Sequence, residues 1–351
     1  MTGHHSLKKR ATINDIARIS GYSKTAVSFA FNDPSRISRQ ACDTILGVAE
    51  TLGYYPDPLA RKFSLQRHES IGFLLPQELR FSFRNPYIMQ VVEGIGDVCQ
   101  ERGNTLTLIP PLNASVIAAV RTAAVDAMII QGMSANMEIA ESIGRRGIPF
   151  VSIDGIPSEE MPSVNIDDRQ AAYDIMHTVL ESGHREIAII GLSDVSYERS
   201  ATEGIQKRRM EGYLEALREV GLDYGSPSIT VFKSECTVAQ GRQVVDRILT
   251  IPRRPTCIVT MSDIVAIGCM LRLPELGLRV PRDISVVGFD NIDETNYTLP
   301  GLTTVHQPSK EKGVLAARLL FRMLGQTGED RGDIHVRLPH HLVIRDSLSR
   351  V

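Results

Sequence analysis

Cysteine is scarce in this chain of 351 residues, and no two of its five cysteines form a Cys-x-x-Cys pair. An odd number of scattered cysteines argues against a disulfide framework and a thiolate zinc site, and favours reduced, mostly buried thiols in a cytoplasm. The nine histidines show no metal-ligand spacing either, and the adjacent His340 and His341 are typical of a strand edge. We therefore expect no metal ion and no other cofactor.

Long apolar runs and catalytic signatures are missing as well. No stretch approaches the roughly 20 apolar residues of a membrane helix, and polar sequence follows Lys8-Lys9-Arg10 where a signal peptide needs an apolar core. The chain has no GxGxxG after a strand, no phosphate-binding GxxxxGK, no HExxH and no GxSxG. These absences argue against a membrane protein, an exported solute-binding protein and an enzyme.

Positive charge is concentrated near the N-terminus. The whole chain has a net charge of −2, but residues 1–68 carry ten lysines and arginines against five acids, a net charge of +5. A basic segment on an acidic body indicates that the segment meets a polyanion, although a solvated basic tail has the same composition. The length predicts two or three domains.

Three short apolar patterns with helical spacing occupy residues 12–53. A serine or threonine that can act as an N-cap precedes each of them, at Thr12, Ser23 and Ser38. Gly21 stands between the first two, where a tight turn needs a permissive backbone. A helix, a tight turn and a second helix form the helix-turn-helix motif, which also occurs in helical bundles without a DNA function. The positive charge favours the DNA-reading interpretation.

From residue 70 onward, short apolar runs alternate with longer amphipathic patterns. The runs predict eight strands, at 71–75, 105–109, 127–130, 150–153, 187–190, 229–231, 257–260 and 285–289. The amphipathic patterns predict helices near 86–102, 113–123, 135–146, 168–182, 204–220, 237–250 and 262–273. This alternation predicts parallel, doubly wound sheets, and the number of strands favours two α/β lobes. A ligand cleft is expected at the carboxyl ends of their strands.

Several segments closely resemble the LacI–GalR (lactose-repressor) family of bacterial transcription regulators. They include ATINDIARISGYSKTAVS at 11–28, LGYYPDPLA at 52–60, GHREIA at 183–188 and ISVVGFD at 284–290. Similarity extends over about residues 11–346. The resemblance implies an all-α helix-turn-helix DNA-binding head joined to an α/β, two-lobed, periplasmic-binding-protein-like sensor domain with doubly wound parallel sheets.

The resemblance also implies a division of the chain and a function. The parts are a flexible basic arm at 1–10, the helix-turn-helix domain at 11–56, a hinge helix and linker at 57–69, and an effector-binding and dimerisation domain at 70–351. Lobe 1 is expected at about 70–165 and 292–325, and lobe 2 at about 166–291 and 326–351. The implied protein is a cytoplasmic repressor that binds double-stranded, semi-palindromic operator DNA as a homodimer and responds to a small, polar, sugar-like effector.

Eleven residues match the DNA-contacting positions implied by the resemblance. They are Thr12, Ser23, Lys24, Thr25, Ser28, Phe29, Asn32, Tyr54, Ala60, Arg61 and Phe63. Lys24 can donate to guanine, Thr25 can bond several base edges, and Phe29 can touch thymine methyl groups. Family members usually have Arg in place of Phe29 and Asn in place of Asp57. We therefore expect a different operator base opposite Phe29, and a helix start at Asp57-Pro58.

The segment 57–64 resembles the family's hinge helix, which is too short to be stable alone. Phe63 matches the apolar side chain that enters the minor groove and kinks the DNA, while Arg61 and Lys62 would neutralise phosphates. The alternative is that Phe63 packs against the sensor domain.

Three residues match the family's effector-contacting positions. Asp154 and Asp263 each follow a predicted strand, Arg209 opens a helix, and Tyr87 is expected to supply an apolar face. Two carboxylates and a guanidinium in one cleft suit a ligand rich in hydroxyl groups. The alternative is that the two aspartates cap helices. Asp290 is expected to be a structural turn residue.

Overall fold

The computed structural model describes residues 11–56, 68–75, 77–113, 115–132, 137–155, 161–192, 204–325 and 333–351. The chain divides into two units, one ending at His68 and the other beginning at Glu69. The expected arm at 1–10 and most of the expected hinge segment lie outside the described residues, as do the DNA-contact candidates Ala60, Arg61 and Phe63.

The first unit contains the three predicted helices. They are α1 (Ile13–Ser20), α2 (Lys24–Asn32) and α3 (Arg39–Thr51), with a short 3-10 helix at Pro34–Arg36. Each α-helix begins with its predicted N-cap, because the side chains of Thr12, Ser23 and Ser38 accept a hydrogen bond from the backbone three residues further on. Gly21 ends α1 with a φ of 77°, which only glycine adopts without strain.

The core of this unit is small. Ile16, Val27 and Ile45 are fully buried, and one such residue comes from each helix. Because the caps are made locally and the apolar positions recur at helical spacing, the sequence determines this unit almost completely.

Lobe 1 of the second unit is built on a parallel sheet of six strands in the order β11-β5-β4-β3-β1-β2. These strands are β1 (Ser70–Leu74), β2 (Thr105–Ile109), β3 (Ala127–Gln131), β4 (Phe150–Ile153), β5 (Ser163–Asn165) and β11 (His335–Arg337). Its helices are α4 (Leu79–Ser82), α5 (Pro86–Glu101), α6 (Val116–Thr122), α7 (Met137–Gly144) and α12 (Ser309–Met323). Strands β1 and β3 are buried along their whole length, as expected for a sheet covered on both faces.

Lobe 2 is built on a parallel sheet of four strands in the order β7-β6-β8-β9, with a separate antiparallel pair. The sheet strands are β6 (Ile187–Leu192), β7 (Ile229–Ser234), β8 (Cys257–Thr260) and β9 (Ser285–Val287), and the pair is β10 (Thr304–His306) with β12 (His341–Val343). Its helices are α8 (Asp168–Glu181), α9 (Ile205–Glu219), α10 (Val238–Ile248) and α11 (Asp263–Glu275), followed by a 3-10 helix at Asp293–Tyr297.

All eight predicted strands and all seven predicted sensor helices are confirmed, within a few residues at their ends. The sequence patterns did not predict β5, β10, β11 and β12, because three residues are too few to establish a period. Helix α12 was also missed, although Ala316, Ala317 and Leu320 are buried at helical spacing.

Two short strands differ from the expected lobe boundaries. Strand β10 lies within 292–325, but it pairs with β12, and isolated bridges join Val287 of β9 to Thr303, directly before β10, and Asp290 to His306. Strand β11 lies within 326–351, but it pairs with β5 in the lobe 1 sheet. Sequence spacing does not reveal which sheet edge such a short strand pairs with, because the pairing depends on tertiary contacts.

Helices α5 and α12 cross at very close range in lobe 1. A Cβ atom on Gly94 would lie 2.0 Å from the carbonyl oxygen of Lys310, and one on Gly313 would lie 2.2 Å from that of Val91. Only glycine fits at these positions, since any side chain would push the two backbones apart. The close crossing holds Lys312, the neighbour of Gly313, in the interior of the lobe.

Candidate functional site

The start of α2 presents a polar, accessible face. Lys24 and Thr25 are exposed, while the Ser23 hydroxyl accepts the backbone N–H of Ala26 at 3.1 Å. One turn later, the Asn32 amide donates to the Ser28 hydroxyl at 3.2 Å. The residues of α2 predicted to contact DNA therefore include two exposed donors at its start, Lys24 and Thr25. They also include a hydrogen-bonded pair at its end, Ser28 and Asn32.

An arginine that the sequence reasoning missed lies beside Phe29. The guanidinium carbon of Arg36 is 5.3 Å from the centroid of the Phe29 ring, within the range of a cation–π contact. The same guanidinium is 2.9 Å from the Asp33 carboxylate, and its side chain is 63% exposed. Its pairing with Asp33 at a spacing of three residues was visible in the sequence, but its approach to Phe29 depends on the turn after α2.

The remaining two described candidates of the head have local roles. The Thr12 hydroxyl donates to the Asp15 carboxylate at 2.7 Å within the capping box. The ring of Tyr54 lies 5.6 Å from that of Phe31 and packs against the core of the head. Both residues thus support the orientation of the helices.

In the second unit, polar side chains converge at the carboxyl ends of β3 and β4. Asp154 directly follows β4 and adopts a φ of 57°. Its carboxylate accepts hydrogen bonds from the Tyr87 hydroxyl, from the Gln131 amide at 3.1 Å and from the Lys312 ammonium at 2.5 Å. Asp154 and Lys312 are 1% and 0% exposed, so this ion pair is removed from water.

The hydrogen bonds continue from this pair into lobe 2. Lys312 donates to the Gln307 side-chain oxygen at 2.6 Å, and the Gln307 amide donates to Asp290 at 2.5 Å. The Ser262 hydroxyl, at the end of β8, donates to the other oxygen of Asp290 at 3.2 Å. A continuous buried chain of side chains therefore connects Tyr87 in lobe 1 with Ser262 in lobe 2.

Two consecutive arginines at the start of α9 share one carboxylate. Arg209 donates to Asp168 at 3.0 Å and to the carbonyl oxygen of Met261 at 2.8 Å, and its guanidinium lies 3.6 Å from the centroid of the Phe289 ring. Arg208 donates to the second oxygen of Asp168 at 2.9 Å and to the backbone carbonyl of Asp154 at 3.2 Å. Burial opposes ionisation of Asp168, but the charges of Arg209 and Arg208 keep its pKa below the usual value.

Asp263 has a different environment. Its carboxylate accepts the Thr304 hydroxyl at 2.6 Å and the backbone N–H of Ile292 at 3.0 Å, which ties the segment after β9 to α11. Burial, together with the nearby charge of Asp290, raises the pKa of Asp263 to about 8. In the described part of the chain, its hydrogen bonds do not reach Asp154 or Arg209.

Each of the two units is similar to a known protein family. The model for bacterial regulatory proteins of the lacI family matches residues 12–57, and the model for a periplasmic binding protein-like domain matches residues 176–348. The transcriptional regulator IpsA of Corynebacterium glutamicum is 32% identical over 336 residues, which cover 89% of this chain and 91% of IpsA. This chain belongs to the lacI family. It is a DNA-binding transcription regulator, and the members of its family are regulators and not enzymes.

Two further known proteins are similar to this lacI-family regulator over most of its length. The transcriptional repressor PurR of Vibrio vulnificus is 28% identical over 97% of this chain and 99% of its own length. The structure of a LacI family regulator from Enterococcus faecium with bound ribose matches with a TM-score of 0.68 and 26% identity, over 80% of this chain and 99% of that chain. In the described part of this regulator, none of the helices is long and apolar enough to cross a membrane.

The structure of this lacI-family regulator thus joins Tyr87 and Asp154 directly, brings Arg209 near them through Arg208 and Asp168, and gives Asp263 different partners. Sequence reasoning did not find Lys312, because nothing in its neighbourhood distinguishes it from Lys310 two residues earlier. Asp290, expected as a turn residue, does have a positive φ of 129°, but its carboxylate is also part of the interlobe chain. The remaining side chains that sequence reasoning missed are Gln131, Asp168, Arg208, Ser262 and Gln307.

The buried carboxyl of Asp290 should make stability depend on pH. Burial raises its pKa to about 6, although the positive charge of Arg209 opposes the rise. The folded protein then holds a proton that the unfolded chain releases near pH 4, so the stabilisation is complete at low pH and is lost as the pH rises from 4 towards 7. We expect the free energy of unfolding of the wild type, minus that of Asp290→Asn, to fall by roughly 1 to 3 kcal/mol over this range.

Urea unfolding of both proteins at pH 4, 5, 6 and 7 measures this difference. His184 and His306, whose pKa values burial lowers, titrate in both proteins and cancel in the subtraction. The pKa of Asp263, which the charge of Asp290 helps to raise, differs between the two proteins and adds to the same fall. A difference that stays constant or grows with pH would contradict a raised pKa for Asp290.

Proposed function

We propose that this regulator is a cytoplasmic repressor that binds a semi-palindromic operator as a homodimer and responds to a small, polar, sugar-like effector in the interlobe cleft. The observation that carries the proposal is the accessible, capped start of α2, which offers Lys24 and Thr25 to the edges of bases. The repressor PurR, similar over nearly the whole chain, supports the direction of regulation.

On the DNA side, Ser23, Ser28 and Asn32 support the two exposed readers, and Arg36 adds a guanidinium beside Phe29. Thr12 caps α1, Tyr54 packs against the core of the head, and both are proposed to contact the DNA backbone. Ala60, Arg61 and Phe63, outside the described residues, are proposed to contact the minor groove, with Phe63 as the wedge.

On the effector side, the buried polar cluster at the ends of β3, β4 and β8 supports a ligand site, since ligands bind at the carboxyl ends of strands in such sheets. The related Enterococcus faecium regulator with bound ribose supports a sugar-like compound. Arg209 and Tyr87 are proposed to shape the pocket. Asp263, with its carboxylate bonded to the segment after β9, is proposed to act indirectly by holding that segment.

Dimer formation is supported by exposed apolar side chains in lobe 2. Leu271 of α11 and Leu276, which directly follows this helix, are 51% and 39% exposed and are proposed to be covered by the partner subunit. Two heads related by a two-fold axis would read two half-sites about one helical turn apart.

Selection from a random DNA library, with and without a panel of sugars and nucleosides, tests the proposal. We expect a semi-palindromic consensus whose recovery one compound abolishes or sharpens. A variant carrying Lys24→Ala and Thr25→Ala should lose the consensus while keeping its helical content, because both side chains are exposed and neither makes a cap. Absence of preference over scrambled duplexes across a range of salt concentrations would refute the proposal.

A further inference from the structure

Two buried polar atoms beside Asp154 lack a hydrogen-bond partner among the described residues. They are the side-chain oxygen Oε1 of Gln131 and the guanidinium nitrogen Nη1 of Arg208. Gln131 is only 2% exposed. Leaving a buried polar group unpaired costs about 1 to 3 kcal/mol, so two such atoms at one place indicate a site that something else completes.

The neighbouring charged pair uses most of its hydrogen-bonding capacity inside the protein. The Asp154 carboxylate already accepts three hydrogen bonds, and Lys312 spends its three N–H groups on Asp154, on Gln307 at 2.6 Å and on the Tyr87 hydroxyl at 3.3 Å. About one acceptor site of the Asp154 carboxylate remains, but its side chain is only 1% exposed. Asp154, which the sequence predicts to contact the effector, therefore makes most of its hydrogen bonds to the protein itself.

The two arginines beside Asp168 differ in accessibility. One carboxylate serves both Arg208 and Arg209, and Arg208 is the more accessible of the two, with a side chain 19% exposed against 4% for Arg209. The unpaired N–H belongs to Arg208. A guanidinium N–H beside an already shared carboxylate best matches an anionic oxygen, because carboxylates and phosphates form the strongest hydrogen bonds with arginine.

We propose that the effector is an anionic carbohydrate, either a sugar acid or a sugar phosphate, whose anionic group binds Arg208 and one of whose hydroxyl groups donates to Gln131. Both residues are anchored on Asp154, Gln131 through its carboxylate and Arg208 through its backbone carbonyl at 3.2 Å. One ligand seated against Asp154 is proposed to contact both. The inference rests on the proposed function, namely that a small polar effector enters this cleft.

Isothermal titration calorimetry on the full-length protein tests the inference with matched sets of probes. Each set contains a neutral sugar, its carboxylate and its phosphate, for example glucose, glucuronate and glucose 6-phosphate, and ribose, ribonate and ribose 5-phosphate. We expect one acidic member to bind at least tenfold more tightly than its neutral parent. Comparison of carboxylate with phosphate identifies which anionic group the site prefers.

Two variants assign this preference to Arg208. Arg208→Gln should weaken binding of the acidic probe at least tenfold and leave the neutral parent nearly unchanged, whereas Arg208→Lys should retain part of the preference. Lys207→Gln removes the exposed cation next to Arg208 on α9 and should have no effect, which separates a local contact from a change in net charge. Thermal unfolding checks that each variant is folded.

The outcomes separate this inference from the proposed function. Tight binding of a neutral sugar that Arg208→Gln does not weaken would overturn the anionic effector and leave a sugar-controlled repressor standing. Binding by none of the probes would overturn the anionic effector, while the operator selection would still decide whether the protein reads DNA.

Discussion

Replacing Lys312 by methionine should destabilise the full-length protein by about 3 to 5 kcal/mol, because it leaves the buried carboxylate of Asp154 without its cation. The methionine side chain has nearly the same length, so lost packing contributes little. The chain has no tryptophan, and far-UV circular dichroism is therefore a suitable probe of urea unfolding.

A matched control exists on the same helix. Lys310 lies two residues earlier on α12 and pairs with Glu93 and Asp97, but its side chain is 48% exposed. Exposed ion pairs contribute at most about 1 kcal/mol, so Lys310→Met should be nearly neutral. Equal losses from Lys310→Met and Lys312→Met would contradict the assignment of a buried, energetically coupled pair to Lys312 and Asp154.

The double variant isolates the coupling. Asp154→Asn removes the charge and tolerates the left-handed backbone at this position, where φ is 57°. Asp154→Asn combined with Lys312→Met should recover most of the stability lost by Lys312→Met alone, since no unpaired charge remains buried. Additive losses would show that the two residues contribute independently.

Sequence reasoning succeeded where the determinants are local. Thr12, Ser23 and Ser38 cap helices with their own neighbours, and the alternating apolar patterns of the sensor need no tertiary information to be recognised. Sequence reasoning did not predict which sheet edge a short strand pairs with, because that depends on tertiary contacts. Strand β11 bonds to lobe 1 rather than lobe 2 because β5 lies there, and β5 itself is three residues long.

The buried chain of side chains between the lobes shows the same contrast between local and tertiary determinants. Asp154 directly follows β4 and Arg209 lies in the first turns of α9, as the sequence patterns predict. Their partners do not follow from the sequence, because Lys312 is buried on a helix that crosses α5 at a distance only glycine allows. Likewise, both Asp263 and Asp290 follow buried strands, and only the fold determines that Asp290 joins the interlobe chain while Asp263 secures the segment after β9.

Arg36 should prove to be a DNA-contacting residue that Phe29 positions. Its guanidinium is held beside Phe29, a predicted DNA-contacting residue, and beside Asp33, yet most of the side chain is accessible. A guanidinium that contacts a guanine edge contributes about 1 to 3 kcal/mol to discrimination between bases. We therefore expect Arg36→Ala to weaken binding of the selected operator by roughly 5- to 150-fold, with a much smaller effect on random duplex DNA.

Fluorescence anisotropy with operator and scrambled duplexes, over a range of salt concentrations, measures both losses. Arg18→Ala is the matched control: it removes the same charge from an exposed position on α1, where Arg18 pairs with Asp15. A charge effect alone would weaken both duplexes similarly in both variants. An equal loss on operator and scrambled DNA after Arg36→Ala would show that Arg36 contacts phosphate only.

A second double-mutant cycle, with Phe29→Leu and Arg36→Ala, tests the role of Phe29. Phe29→Leu removes the ring that orients Arg36 but keeps an apolar side chain on α2, so it should weaken operator binding by less than Arg36→Ala does. If Phe29 acts through Arg36, Phe29→Leu should cause little further loss once Arg36 is alanine, because residues in contact are not additive. Full additivity would instead mean that Phe29 touches the DNA itself, as the sequence alone suggests.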